Sequence, residues 1–229
     1  MSLTSAELTA STALQSQGAA EAARYALLRR LAPSMRHHLV VNLQPIGMIY
    51  EVMDRRLRAA QPDLDSVHDS AQKINGFARA ALNSCLDVVS WLAPEEGASI
   101  AVAEGVRECT GLLATSLSFR GYALRNEVGA ITGDVRRSAI RHLLTATLIH
   151  ATDRHPPAAD VVLTAQALAR GVRLAVTLTP SSGDKGFANE AGYRQLEWAD
   201  VEALAAADGV ELEREGARNI VLLIPWARP

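Results

Sequence analysis

Two runs of largely apolar residues at steps of three and four constrain this chain most. The first comprises Leu28, Leu31, Met35, Leu39, Asn42, Ile46, Ile49, Met53 and Leu57; the second comprises Leu64, Val67, Ala71, Ile74, Phe77, Ala81, Cys85, Val88 and Leu92. That rhythm is the signature of helices sharing a long seam. Gln61-Pro62-Asp63 breaks the pattern between them, so the two helices fold back as an antiparallel hairpin. A lone hairpin leaves an apolar stripe bare, and two chains pairing into a dimeric four-helix bundle cover it most simply. A homodimer is therefore expected.

With 48% apolar and 21% charged residues, the 229-residue chain has enough material for this hairpin and a second domain. Pro94-Glu95-Glu96-Gly97 interrupts the periodicity and reads as the join. The expected organisation is a frayed lead-in over 1–18, a helical hairpin over 19–93, a linker over 94–98 and a second domain over 99–229. Pro33 is expected to start or kink the first helix, and Pro45 to bend it. In the second domain, 100–119 and 133–152 read as helices, the latter with Asp134 as N-cap. Residues 126–131 read as extended, 160–166 and 172–179 as a β-hairpin, 198–207 as a short helix and 220–225 as a last strand. The fold class is α+β, with helices on one face of an antiparallel-rich sheet.

A net charge of −2 supplies no field for gathering nucleic acid or anionic lipid. No apolar run is long enough to cross a bilayer, and no secretory leader is visible, so a cytoplasmic protein without a membrane anchor is expected. Cys85 and Cys109 lack metal-ligand spacing and read as small core hydrophobes.

The chemistry-bearing stretch is residues 36–46, Arg-His-His-Leu-Val-Val-Asn-Leu-Gln-Pro-Ile. At about 100° of turn per residue, His37 lies roughly 160° from Met35 and Leu39 and points away from the seam, whereas His38 flanks it. Val40, Val41, Gln44 and Met48 share the face of His37, and apolar side chains beside a nucleophilic imidazole suit a protein docking patch. His68, His142, His150 and His155 are scattered and read as surface or core residues. Adjacent histidines on a helix are poorly spaced for a metal, and no metal or cofactor is expected on the chain.

His37-His38-Leu39-Val40-Val41-Asn42-Leu43-Gln44 resembles the His-x-x-x-x-Asn-Leu-Gln phosphoacceptor box of a histidine-kinase subgroup. Gly133-Asp134-Val135-Arg136-Arg137 and the helix after it are similar to the Asp-x-x-Arg segment and N-box of the kinase ATPase (GHKL) fold. Measured against that pattern, Ala146 stands where the magnesium-binding asparagine belongs, Thr179-Pro180-Ser181-Ser182-Gly183 replaces the adenine-binding Asp-x-Gly-x-Gly, and no Gly-x-Gly lid precedes 201–207. The acidic neighbour that serves kinases as general base is replaced by His38. Without groups to orient a triphosphate, ATP-driven transfer has no footing; the segment 181–186 reads as a mobile surface loop.

The resemblance thus implies a two-domain histidine phosphotransferase of a phosphorelay. His37 would be the phosphoacceptor, with Arg36 and His38 supporting it. Val40, Val41, Gln44 and Met48 would dock response-regulator receiver domains, Arg29 and Arg30 would meet acidic receiver surface, Mg²⁺ would sit on the receiver, and a hybrid histidine kinase could stand upstream. The alternatives are a non-catalytic, pseudokinase-like dimer that binds and regulates a receiver or kinase, and an atypical histidine kinase.

Overall fold

The computed structural model describes residues 5–93, 97–187, 193–216 and 218–228. The hairpin consists of α1 (Ser5–Leu57) and α2 (Leu64–Leu92). Asp63 starts α2, its side chain accepting the Ser66 backbone N–H at 3.2 Å. Where 1–18 was expected to fray, the chain is already helical from Ser5, and α1 passes through both Pro33 and Pro45 without ending.

The remaining elements are β1 (Ser99–Ala101), α3 (Val102–Phe119), β2 (Tyr122–Asn126), β3 (Asp134–Arg136), α4 (Arg137–Arg154), β4 (Ala159–Leu168), β5 (Gly171–Pro180), α5 (Trp198–Asp208), β6 (Glu211–Arg214) and β7 (Asn219–Pro225). Five strands form one sheet in the order β2-β4-β5-β7-β6, with β2 parallel to β4 and the other pairs antiparallel; β1 and β3 make a separate two-stranded ribbon. The fold class is α+β, as the periodicities imply.

The register shows why the sheet holds. Val161 lies opposite Leu178 and Leu163 opposite Val176, while β5 sets Leu174 opposite Leu222 and Val172 opposite Ile224 on β7. These side chains are 0–3% exposed, so one pleat face is a continuous apolar floor. Helix α4 packs on β5 and β7 and is flanked by α3 and α5. Every residue from Ala139 to Thr152 is buried. Helix α5 stops at Gly209, whose φ of +64° is the left-handed conformation that glycine adopts without penalty.

Several expectations are corrected here. Asp134 is not a cap: it lies in β3, and Arg136 precedes α4. The extended segment is Tyr122–Asn126 rather than 126–131, residues 99–101 pair as a strand before α3, and β6 was not anticipated. Cys109 is buried, and burial pushes its thiol well above the ordinary range, but Cys85 is exposed. The 181–186 loop is tied down: Ser181 N–H donates to Ala158 O at 3.0 Å and Phe187 N–H to Phe119 O at 2.9 Å. Gly121 and Gly186 approach so closely that a Cβ on Gly186 would lie 2.4 Å from the Gly121 nitrogen.

The chain divides into two compact units, Ala32–Glu95 and a larger one of Met1–Leu31 with Glu96–Pro229. The division between the two units falls within α1, after Leu31. Residues 94–96 of the expected linker lie outside the described residues. Among the described residues, no helix is long and apolar enough to cross a membrane.

Candidate functional site

In the hairpin unit, α2 buries or half-buries the three-four series Val67, Ser70, Ile74, Phe77, Ala81, Ser84, Val88 and Trp91, with Ser66, Ala80 and Ser90 half-buried beside it. On α1 the same holds for Met35, His38, Asn42, Pro45 and Ile49. The rotation of α1 that follows leaves Arg36 and His37 exposed and His38 half-buried. The two imidazoles stand edge to face, with centroids 6.4 Å apart. His38 thus carries the structural part of the pair and His37 has its ring open to solvent.

Around His37, Val40 is 45% exposed, Val41 51% and Met48 63%, and Gln44 is exposed as well. The four share an outward surface of α1, as their spacing from His37 requires. An open imidazole amid apolar side chains can serve as a nucleophile toward a group delivered by a docked protein. One further side chain joins the helices below it: Asn42 Nδ2 donates to Ser84 Oγ at 3.0 Å and to the His38 carbonyl at 3.2 Å. Sequence reasoning had Asn42 in the seam but missed Ser84, because the adjacent Cys85 fits the apolar rhythm better.

Arg30 is not available in the way the sequence suggested, whereas Arg29 is exposed. Arg30 makes a two-pronged ion pair with Asp153, at 2.6 and 2.9 Å, and Arg120 holds the same carboxylate at 2.9 Å. Arg29 lies over the Tyr193 ring at 4.9 Å. These contacts attach the first part of α1 to the α/β unit, along a buried stripe of Ala20, Ala23, Ala26, Leu27 and Leu31.

In the α/β unit most polar side chains of α4 are spent on structure. Arg141 and Arg137 both bind Glu108, at 2.8 and 2.5 Å. Ser138 Oγ donates to Asp208 at 2.9 Å, and His142 Nδ1 is 3.5 Å from the same carboxylate. Burial by itself raises the Asp208 carboxyl, but the hydrogen bonds from His142 and Ser138, with the Arg136 charge, outweigh it and hold the group below the usual carboxylate range. His150 is bonded to the Leu196 carbonyl at 2.8 Å. Ala146 is fully buried and faces packed protein. His68 is exposed beside Gln72, and His155 caps the end of α4. Among the described residues no group of His, Cys, Asp and Glu side chains could hold a metal ion.

No protein-family model and no curated protein matches the chain. Among solved structures it is similar to a histidine kinase from Burkholderia phymatum STM815, with 16% identity and a TM-score of 0.44, over 87% of this chain and 99% of that one. It is similar to a bacterial phosphotransferase with 14% identity and a TM-score of 0.41, over 86% and 95%. It is also similar to the histidine kinase ThkA, solved in complex with the response regulator protein TrrA, with 13% identity and a TM-score of 0.43, over 90% and 64%. Likenesses this loose assign neither substrate nor partner.

Proposed function

We propose that this protein is a histidine phosphotransferase, in which His37 takes a phosphoryl group from the aspartyl phosphate of one receiver domain and passes it to the aspartate of another. The observation that carries this reading is the open imidazole of His37 amid the exposed Val40, Val41, Gln44 and Met48. A ring-nitrogen lone pair of His37 forms the P–N bond as the acyl P–O bond breaks and the carboxylate leaves; transfer onward reverses the two. Arg36 is exposed beside the site and steadies phosphoryl oxygens, with His38 on the seam side. Mg²⁺ belongs to the receiver, whose acidic pocket it neutralises. The upstream donor is a receiver, or the receiver domain of a hybrid histidine kinase, and the exchange takes place in the cytoplasm.

The burial of α4 from Ala139 to Thr152, with Ala146 near its centre, supports a non-ATP donor. A homodimer is part of the same reading. Outside its intramolecular seam the hairpin exposes Leu43 and Tyr50 on α1 and Leu82, Leu86 and Val89 on α2, each 51–60% exposed. A second hairpin would cover them.

The test is phosphoryl transfer from a panel of phosphorylated receiver domains to the parent and to His37→Ala, with ATP as a parallel donor. Acid-labile label on the parent, none on the variant and none from ATP is the expected result. Label from ATP would make the protein a kinase. Receivers that bind without passing label would leave the non-catalytic regulator.

A further inference from the structure

Helix α1 contains two internal prolines, and the candidate phosphoacceptor lies between them. Proline has no N–H, so Pro33 deprives the Arg29 carbonyl of its helical donor and Pro45 deprives that of Val41. Residues 34–44 are therefore a helical block whose backbone continuity is weakened at both ends, with His37 inside it. Such a block needs a tertiary tie if the rotation of His37 about the helix axis is to be fixed.

Among the described residues, the polar tie within this block is made by Asn42. Asn42 Nδ2 spans from the His38 carbonyl to Ser84 on α2, at 3.2 and 3.0 Å. A second polar link joins the helices nearer the turn, from Arg56 to Ser66 and, at 3.5 Å, to Ser70. Asn42 and Arg56 are two heptads apart on α1, as Ser70 and Ser84 are on α2, so both links report the same antiparallel register. The Arg56 link lies beyond Pro45 and secures only the turn end. A polar pair in a largely apolar seam adds little net stability, but its geometry fixes how two helices face one another.

We propose that Asn42, through Ser84, is the positioning residue of the phosphoacceptor: it holds the proline-bounded block so that His37 faces outward in one orientation. This rests on His37 being the acceptor. The exchange needs in-line approach of a receiver phosphoryl, so misorientation of the block acts on the transfer step at saturating receiver.

The experiment uses the full-length chain with Asn42→Leu, Ser84→Ala and the exchanged pair Asn42→Ser with Ser84→Asn. Transfer from a phosphorylated receiver is measured at saturating and sub-saturating concentrations, beside thermal unfolding. Asn42→Leu is expected to unfold no earlier than the parent, yet to lose about tenfold or more of the saturating rate with little change in KM. The exchanged pair is expected to recover most of that rate. In a Cys85→Ser background, spin labels at positions 36 and 87 read the block, and labels at 51 and 72 read the helices beyond Pro45. Asn42→Leu is expected to broaden the first distance and leave the second. An unchanged first distance, or a rate that merely follows stability, would overturn the proposal. If no receiver labels His37 in the parent, the functional reading fails, and the two distances still decide whether Asn42 orients the block.

Discussion

The two compact units use apolar periodicity in opposite ways. In the α/β unit, α4 is closed on every side, with Leu143, Leu144 and Leu148 fully buried on one helix. In the hairpin unit, α2 buries one three-four stripe against α1 and presents a second, with Leu82, Leu86 and Val89 57–60% exposed. The first unit closes α4 within the single chain, whereas the second leaves a helical apolar stripe exposed in the single chain. The buried helix α4 and the exposed His37 face of α1 are therefore opposite outcomes of the same kind of pattern.

The largest test of this contrast is at the outer stripe. Leu82→Glu with Leu86→Glu places charge where a second hairpin would pack and leaves the intramolecular seam untouched. Light scattering is expected to give a mass of two chains for the parent and one for the variant. A parent with the mass of one chain breaks the comparison, because the stripe would then be free surface.

Truncations sharpen it next. Leu144→Ala removes a fully buried side chain from α4 and is expected to cost about 2–5 kcal/mol in urea unfolding. Leu82→Ala, exposed in the single chain, is expected to fall within about 0.5 kcal/mol at concentrations where the protein is monomeric, and to cost more as concentration favours the dimer. Equal costs at all concentrations would mean that the stripe packs against nothing.

The sequence made much of this legible, and what it hid has physical causes. The hairpin, the β4–β5 pairing and the outward phase of His37 follow from periods of 3.6 and 2, which backbone geometry imposes locally. Periodicity cannot say which of two apolar stripes on α2 faces its own partner, so Ala71, Cys85 and Leu92 were placed in the seam that Ser70, Ser84 and Trp91 occupy. Asp134 has the chemistry of a cap, but its backbone pairs with Ala101 instead. The long-range partners of Arg30 leave no local mark. Nor does the docking of the first part of α1 on the α/β unit, since an alanine-rich helix reads the same free or packed.

Arg30, Arg120 and Asp153 make the next, smaller test. Asp153 is 4% exposed and neutralises two guanidinium groups that are 10% and 15% exposed. Asp153→Asn leaves two mostly buried cations without a counter-charge. Breaking a buried pair costs about 3–5 kcal/mol, and residual exposure puts this case at or below the lower end. Protection of α4 amides and of residues 20–31 is expected to fall together. Loss at α4 alone would mean that the first part of α1 is not held to the α/β unit by this charge cluster.

Acid gives the smallest and most selective separation of the units. Among the described residues, three carboxyls of the α/β unit are held below their ordinary range. Asp200 is lowered chiefly by its hydrogen bond to Arg194. For Glu108, burial acts to raise the carboxyl and is outweighed by the bonds to Arg141 and Arg137, as it is for Asp208 by those to His142 and Ser138. A depressed folded value means that stabilisation is fully present above the unfolded carboxylate value, about 4. It is then lost as pH falls through the folded values, because the unfolded chain takes up protons first. Between neutral pH and about pH 3, exchange protection, corrected for the intrinsic rate, is therefore expected to fall at α4 (Arg137–Arg154) before α2 (Leu64–Leu92). Asp208→Asn keeps the side-chain shape and removes one of the three titrations, so it is expected to flatten that dependence at α4 and leave α2 as it was. If α4 and α2 lose protection at the same pH, the units unfold as one, and the hairpin draws on the α/β unit for stability that its own seam does not supply.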